Sequence, residues 1–227
     1  MQPQSPARLL NEVLPASYTA LARGGIAASQ AALPPQLRKM HQQLLRAFLA
    51  AGAAPGPARL RELAADAGLD VAEAMASLAA ADLVHTDPDG SIVVAYPLSG
   101  RSTGHTVHLD GLPSITAMCA IDALGIPMMA GRNGAIISAD PTTNEPIRIE
   151  LKAGAWSWQP SSTVLVLATS DACCAGPIAG ACPLANFHAS AELAEAYLAA
   201  KTGTTGRVLT REESVEIARN EFGPLLG

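Results

Sequence analysis

The apolar residues of this chain change their spacing near residue 83, and this change constrains the fold more than any other feature of the sequence. Between Gln36 and Ala81 they recur at the helical spacing of three to four positions, as in Leu37, Met40 and Leu44. After Leu83 they form short runs separated by turn residues, which is typical of strands. This order predicts an α+β fold, in which an N-terminal helical, winged-helix-like domain precedes a mixed β-sheet domain with flanking helices.

The N-terminal half is predicted to contain three helices and a hairpin, which is the order of a winged helix-turn-helix. The helices are expected over residues 36–51, 57–67 and 70–81, and Asp70 is a suitable N-cap for the third. The hairpin joins 83–85 to 91–96 through the turn Asp87-Pro-Asp-Gly90. We therefore divide the chain into a helical lead-in (1–35, with helices near 7–14 and 18–32), a winged helix-turn-helix-like domain (36–99) and a C-terminal β-sheet domain (100–227).

The C-terminal half alternates short strands with helices. A helix is predicted from about Ser114 to Leu124, with Gly125 and Pro127 at its end or at a kink. The run Val164-Leu-Val-Leu167 has no polar break and predicts a buried central strand. The other predicted elements are strands at 106–110, 135–139, 147–151, 184–189 and 207–209, a helix at 191–201 capped by Ser190, and a helix that starts at the capping box Thr210–Glu213 and ends near Gly223.

Charge and the N-terminal sequence limit the partners that we expect. The formal net charge is -5, and the third predicted helix carries Asp70 and Glu73 but no Lys or Arg, so it would repel nucleic acid phosphates. The chain starts without the charged and apolar regions of a secretory signal, and no apolar run is long enough to span a membrane. We therefore expect a cytoplasmic protein with reduced thiols and with neither nucleic acid nor membrane as its partner.

Cys119 and Asp122 are the most informative pair of residues for function. On a helix their spacing would place both side chains on one face, among Ala, Ile, Leu and Met residues. A single Cys in such a setting is most often a small buried apolar residue. A carboxylic acid beside it is costly to bury unless it is paired or used. The pair therefore indicates chemistry at a soft metal, with a thiol as ligand and an acid as proton donor.

The other three cysteines lie in a Gly- and Pro-rich loop that can bring a sulfur over the Cys119 helix. Cys173, Cys174 and Cys182 have the spacing Cys-Cys-x₇-Cys, which lacks the paired ligands of structural zinc sites. A two-thiolate site for mercury or a three-thiolate site for another soft ion fits better, while an incidental thiol cluster or a Cys173–Cys174 disulfide stays open. We interpret His188, and the side chains of Trp156 and Trp158, as structural.

Two segments together resemble the organomercurial lyase (alkylmercury lyase) family. Met118-Cys-Ala-Ile-Asp-Ala-Leu-Gly-Ile-Pro-Met-Met-Ala-Gly131 is similar to the family signature, in which a Cys and an Asp three residues later form part of the active site. The family's remaining cysteine precedes a Phe-x-Ala-Ser strand end, and Ala181-Cys-Pro-Leu-Ala-Asn-Phe-His-Ala-Ser190 supplies it as Cys182. The resemblance extends over about residues 35 to 225.

The chain departs from the family pattern at two positions and in one stretch. Pro183 stands where many members have a second cysteine, and Asp140 falls where they often have a non-catalytic cysteine. The stretch around Cys173 and Cys174 looks like an insertion. None of these differences removes a member of the Cys119, Asp122 and Cys182 trio, and they leave open whether Cys173 or Cys174 is an auxiliary sulfur in metal capture or release.

The resemblance implies protonolysis of a carbon–mercury bond, in which R-Hg⁺ and H⁺ give R-H and Hg²⁺. Cys119 and Cys182 would bind the metal as thiolates, and Asp122 would protonate the leaving carbon and serve as a third ligand of the product Hg²⁺. No cofactor is implied, and the partners would be an organomercurial substrate and small thiols or a mercuric reductase that accept Hg²⁺. The alternatives are a non-enzymatic protein that binds or transfers Hg or Cu, which would need no proton donor, and a metal-responsive regulator, which the acidic third helix disfavours.

Overall fold

The computed structural model describes residues 25–170 and 181–227 of the chain. Three features of the sequence analysis lie outside these residues: the predicted helix near 7–14, most of the predicted helix near 18–32, and the pair Cys173 and Cys174. The α-helices of the described part are α1 (Ile26–Ala31), α2 (Pro35–Ala51), α3 (Pro57–Asp66), α4 (Val71–Ala80), α5 (Ala120–Ala130), α6 (Ala191–Ala200) and α7 (Arg211–Phe222). Its strands are β1 (Val84–Thr86), β2 (Ile92–Ala95), β3 (Leu98–Ser99), β4 (Thr106–Leu109), β5 (Ile115–Thr116), β6 (Gly134–Ala139), β7 (Pro146–Lys152), β8 (Ala155–Gln159), β9 (Val164–Ser170), β10 (Asn186–His188) and β11 (Thr204–Leu209).

The N-terminal half has the predicted order of three helices and a hairpin. Asp70 caps α4, because its side chain accepts hydrogen bonds from the backbone N–H groups of Ala72 and Glu73. Strands β1 and β2 pair in the antiparallel direction. One connected cluster of buried apolar side chains extends from Ile26 to Leu225, so helices and sheets share a core. The α+β fold is as predicted, while the winged-helix assignment and the domain borders stay predictions.

Two antiparallel sheets make up most of the C-terminal half. One has five strands in the order β5-β4-β6-β7-β8, and the other has three in the order β10-β9-β11. The central place of β9 and the burial of Leu165 to Leu167 confirm the predicted buried strand. Strand β8 was missed. Its hairpin with β7 has the two-residue loop Ala153-Gly154, whose positive φ angles are usually signalled by Asn-Gly or Asp-Gly.

The helix that follows Cys119 differs from its prediction at both ends. It begins at Ala120 rather than Ser114, because Ile115 and Thr116 form β5 and pair with β4 instead. It ends at Ala130, where Gly131 adopts the left-handed conformation that closes many helices. The expected end near Gly125 and Pro127 is therefore wrong, since both residues lie inside α5, while the alternative of a kink there stays a prediction.

The remaining C-terminal elements agree closely with the sequence. Ser190 caps α6, and Thr210 and Glu213 form both hydrogen bonds of a capping box at α7. The strand predicted over 184–189 is shorter, since a 3₁₀ turn (Cys182–Leu184) precedes β10. Among the described helices, none is long and apolar enough to cross a bilayer.

Candidate active site

Cys119 lies at the N-cap of α5 rather than on the helix itself. Its backbone is extended, with φ of -150°, and Asp122 is the third residue of the first turn. An N-cap side chain and the side chain three residues later face each other, as they do in a capping box. The Cys119 thiol accordingly donates a hydrogen bond to Oδ2 of Asp122 at 2.7 Å. The predicted proximity of the two groups is confirmed, although an N-cap rather than a helix face produces it.

Cys182 reaches this pair from a segment sixty or more positions later in the chain. It begins the 3₁₀ turn that leads into β10, and the backbone N–H of Ala120 donates to the carbonyl of Ala185 at 3.0 Å. That bond fixes the Cys182 turn against the first residue of α5. One sulfur each from Cys119 and Cys182 and one carboxylate oxygen from Asp122 thus lie within 4.8 Å of one another. The structure therefore brings the three predicted residues into one cluster.

The cluster is enclosed by apolar surroundings. The relative exposures are 6% for Cys119, 2% for Asp122 and 8% for Cys182. Helix α5 is buried on nearly all sides, as expected for a helix whose residues are apolar all round. Access of water to the three functional groups is therefore restricted, which strengthens every electrostatic interaction between them.

Burial and mutual proximity change the protonation of the cluster. The pKa of the Cys119 thiol is raised well above its usual value by the hydrogen bond with Cys182, by burial and by the charge that Cys182 can carry. The pKa of Asp122 is also raised well above its usual value, first by burial and then by Cys119. Oδ1 of Asp122 has no hydrogen-bond partner among the residues that the structure describes. Both groups therefore retain protons more readily than they would in water.

Tyr96 is a member of the site that the sequence analysis missed. Its hydroxyl oxygen lies 3.9 Å from Sγ of Cys182, and its side chain is buried. Burial, followed by the charges of Cys182 and Asp122, raises the pKa of Tyr96 well above its usual value. The residue follows β2, more than twenty positions before Cys119, so no local spacing connects it with the cysteines. Its aromatic ring at the end of a predicted hairpin strand was the available signal.

The other residues considered for function lie outside the cluster. His188 is fully buried, its ring packs on Tyr197 with centroids 4.8 Å apart, and its Nδ1 is 3.4 Å from a carboxylate oxygen of Asp140. Burial lowers the pKa of His188, which is therefore a neutral structural residue, as interpreted from the sequence. Trp158 packs edge-on against Phe187, and Trp156 packs partly buried against the same core, which agrees with their structural interpretation.

The cluster has the donor set of a soft-metal site. Two thiolates and one carboxylate can hold a thiophilic ion, and an acid next to a thiol can move a proton. It is the one group of at least three Cys, His, Asp or Glu side chains with such convergent ligand atoms in residues 25–170 and 181–227. The arrangement can therefore bind a soft metal and supply a proton within the same enclosed space.

Comparisons with known proteins decide the family. The sequence model described as "MerB: Alkylmercury lyase" matches residues 98–223. The chain is 31% identical over 161 residues to alkylmercury lyases of Bacillus cereus and Clostridium butyricum, covering 70% of this chain and 72% of each relative. The chain belongs to the alkylmercury lyase family. An alkylmercury lyase of Staphylococcus epidermidis is 29% identical over 175 residues, covering 74% of this chain and 79% of the relative.

A solved structure supports the fold of this member of the alkylmercury lyase family. The crystal structure of the mercury-bound form of MerB2 aligns with a TM-score of 0.68 and 23% identity, covering 90% of this chain and 100% of that one. Both cysteines of the cluster and Asp122 lie inside the matched residues 98–223, whereas Tyr96 lies just before them. The family match therefore contains the predicted trio, and the structure adds Tyr96 to it.

Proposed function

We propose that this protein is an organomercurial lyase that cleaves carbon–mercury bonds by protonolysis with Cys119, Asp122 and Cys182. The observation that carries the proposal is the convergence of two sulfurs and one carboxyl group within 4.8 Å in a buried site. Family membership makes the chain a carbon–mercury lyase, and the cluster supplies the two requirements of that reaction. These are electron-rich ligands for mercury and a proton for the departing carbon.

The proposed reaction begins with the capture of R-Hg-X, where X is the ligand that the organomercurial brings. The Cys119 thiol gives its proton to Asp122, to which it is already hydrogen-bonded, and Sγ forms a bond to mercury. Cys182 then adds its sulfur to the same metal, and its proton leaves with X. Two thiolate donors raise the electron density on mercury, so the Hg–C bond weakens.

Proton transfer from Asp122 completes the cleavage. The carboxylic acid protonates the carbon, the Hg–C electron pair becomes the new C–H bond, and R-H leaves. Overall, R-Hg-X and two thiols give R-H, HX and mercury held by two thiolates. A proton would not move readily from a thiol to a carboxylate with ordinary pKa values in water. The raised pKa of Asp122 favours transfer of the thiol proton to that carboxyl, while the raised pKa of Cys119 opposes it. Bonding of Sγ to mercury lowers the pKa of the thiol and so releases the proton to Asp122, which keeps it available for the carbon.

Hg²⁺ in this proposal is product rather than resident cofactor. It stays on Cys119 and Cys182, with the Asp122 carboxylate free to act as a third ligand once its proton has gone to carbon. Mercury–thiolate bonds are exchanged by attack of further thiols, so small thiols or a mercuric reductase would remove the ion. Protein ligands that are themselves thiolates favour this route because the metal passes between donors of the same softness.

Single substitutions of the trio test the proposal. Cys119→Ser, Cys182→Ser and Asp122→Ala are each expected to abolish release of benzene from phenylmercury, measured by gas chromatography with excess thiol present. Asp122→Asn should still hold Hg²⁺ on its two sulfurs while releasing no benzene, since an amide is not a proton donor of the required acidity. Full turnover by any one of these variants would contradict the assignment.

The same assay separates the lyase from a metal store. A non-enzymatic Hg- or Cu-binding protein would bind the metal and release no hydrocarbon in the wild type either. The double variant Cys173→Ser/Cys174→Ser is the matched control, because it removes two thiols and leaves the trio intact. It should retain substantial activity, and a dead double variant would place the second sulfur elsewhere than at Cys182.

A further inference from the structure

Besides the hydrogen bond between them, the two sulfurs of the site have different hydrogen-bond partners. The Cys119 thiol is hydrogen-bonded to the carboxyl group of Asp122 at 2.7 Å, while Sγ of Cys182 lies 3.9 Å from the hydroxyl oxygen of Tyr96. The contact with Tyr96 is long, but sulfur is a large acceptor, and contacts in active sites often tighten only when substrate is bound. The Tyr96 side chain is 4% exposed, so its hydroxyl has little access to water as an alternative partner.

Either group can donate in this contact while Cys182 is a thiol, and the tyrosine is the donor once Cys182 is a thiolate. A phenol keeps its proton far above neutral pH, and a thiolate can only accept. A thiolate sulfur that is bound to one mercury ion still has lone pairs, so the hydrogen bond persists after metal capture. Hydrogen bonds to charged acceptors are about twice as strong as those between neutral groups. The hydroxyl can therefore hold Cys182 in place in the free site and in the loaded one.

The N-terminal half of the chain fixes the position of Tyr96. The ring packs edge-on against His85, with centroids 5.9 Å apart, and His85 in turn hydrogen-bonds Asp82 at 2.6 Å. The backbone N–H of Tyr96 donates to Leu83 at 3.1 Å. These contacts come from the hairpin and the loop before it, so the phenol is held independently of the cysteine loop.

The segment after Tyr96 is joined to the strand that leads to Cys119. The carbonyl of Pro97 accepts a hydrogen bond from the backbone N–H of Met118 at 3.2 Å, and Leu98 forms an isolated bridge with Ala117. Tyr96 therefore has a fixed position relative to Cys119 as well as a contact with Cys182. One side chain from the N-terminal half thus contacts one sulfur while its own segment is joined to the strand that carries the other.

We propose that Tyr96 is a positioning residue of the lyase reaction, whose hydroxyl donates to Sγ of Cys182 and keeps that sulfur directed at Cys119 and Asp122 before and after mercury binds. The role rests on the proposed function, because it concerns the second sulfur of the same reaction. It also gives the N-terminal half a direct part in the active site.

The substitution Tyr96→Phe tests this role because it removes the hydroxyl and keeps the ring that packs on His85. We expect kcat for benzene release from phenylmercury to fall about tenfold or more, the effect of one hydrogen bond to a charged group. KM should change little, since capture by the first sulfur does not require Tyr96. Tyr197→Phe is the matched control: this tyrosine packs on His188 and against an apolar cluster separate from the one that contains Cys119 and Cys182, so loss of its hydroxyl should leave kcat and KM as in the wild type.

A spectroscopic measurement separates positioning from packing and does not depend on turnover. Each protein is loaded with Hg²⁺ from a mercuric salt, and its sulfur-to-mercury charge-transfer absorption is recorded. A hydrogen bond lowers the energy of the sulfur lone pairs, so Tyr96→Phe should move the band to longer wavelength, while Tyr197→Phe should not. In Cys182→Ala, which keeps Tyr96 intact, the tyrosine ultraviolet Raman signal should show the lost hydrogen bond.

The outcomes are distinct for the two proposals. An unchanged charge-transfer band in Tyr96→Phe overturns the positioning role, whether or not kcat falls, since lower activity alone would then reflect packing. An unchanged kcat overturns it as well. If the wild type itself releases no benzene, the proposed function fails, while the band and the Raman signal still decide whether Tyr96 bonds the sulfur of Cys182.

Discussion

Asp140 is a buried carboxylate that joins the turn after β6 to the residue after β10. Its Oδ1 accepts hydrogen bonds from the backbone N–H groups of Thr142 and Thr143, and its Oδ2 accepts one from Ala189 at 2.9 Å, just after β10. Burial alone would raise the pKa of Asp140, but these three donors hold it below its usual value. We expect Asp140→Asn to lower the free energy of unfolding by about 1–3 kcal/mol, measured by urea denaturation at neutral pH.

The pH dependence of this loss follows from the direction of the pKa shift. A carboxyl group whose pKa is lower in the folded state contributes stability above its unfolded pKa, and that contribution disappears as the pH falls through the folded pKa. The difference between wild type and Asp140→Asn should therefore shrink in acid. Asp66→Asn, at an exposed residue at the end of α3, is the control and should be nearly neutral. If Asp140→Asn lowers the free energy of unfolding equally at neutral and at acidic pH, the charge of Asp140 is not responsible for the loss.

The residues of the site differ in how far the sequence could predict them. Cys119 and Asp122 are close in sequence, and an N-cap and a helix face both bring positions three apart together, so their contact was predictable even though the local structure was wrong. Cys182 was predictable only through the family resemblance. For Tyr96 an aromatic ring at a strand end was too weak a signal, because its place depends on the hairpin docking against the strand before Cys119.

Helix α5 is packed against α7 closely enough that one glycine controls the distance. A Cβ on Gly125 would lie 2.2–2.8 Å from side-chain atoms of Phe222. Alanine is a better helix former than glycine by about 1 kcal/mol, but overpacking of a core costs about 1–3 kcal/mol. Because Phe222 is itself buried, we expect the second effect to exceed the first, so that Gly125→Ala lowers the melting temperature.

A double variant identifies the cause of that loss. Phe222→Leu removes the ring that the new methyl group would meet, so Gly125→Ala should cost less in the Phe222→Leu background than in the wild type. Equal costs in both backgrounds would place the strain elsewhere. Gly104→Ala is the control for glycine replacement, because a Cβ there meets no atom within 4 Å, and it should leave the melting temperature nearly unchanged.

At the level of elements, the sequence predicted those whose signals are local. Caps at Asp70, Ser190 and Thr210 marked helix starts correctly, because each is satisfied by backbone N–H groups within three residues. The errors fall where distant pairing decides. Ile115 joins β4 rather than a helix, and β8 exists because β7 offers it a partner across a loop that lacks the usual turn residues.

The part of the chain that the structure describes is connected more tightly than a division into separate domains suggests. The buried core is continuous from α1 to the 3₁₀ turn that follows α7 (Gly223–Leu226), and the segment after β2 supplies Tyr96 to the site. The family match begins two residues after Tyr96. The N-terminal half is therefore expected to influence the reaction directly, even though the two cysteines and the aspartate of the trio lie beyond it.

Glu221 links the end of the chain to its first described helix and should make global stability depend on pH. Its Oε2 accepts a hydrogen bond from the backbone N–H of Ile26 at 2.7 Å, and burial raises the pKa of Glu221 from 4.5 to about 7. Because the pKa of Glu221 is higher in the folded than in the unfolded state, its contribution to stability is fully present below pH 4.5 and is lost as the pH rises through about 7. The free energy of unfolding that is lost in this way is at most about 3 kcal/mol. Glu221→Gln keeps an acceptor without the charge, so near pH 8 it should resist urea better than the wild type and near pH 5 about equally. Glu195→Gln, at an exposed position of α6, is the control and should follow the wild type near pH 5 and near pH 8. If the free energy of unfolding of Glu221→Gln runs parallel to that of the wild type over this pH range, Glu221 does not titrate in it.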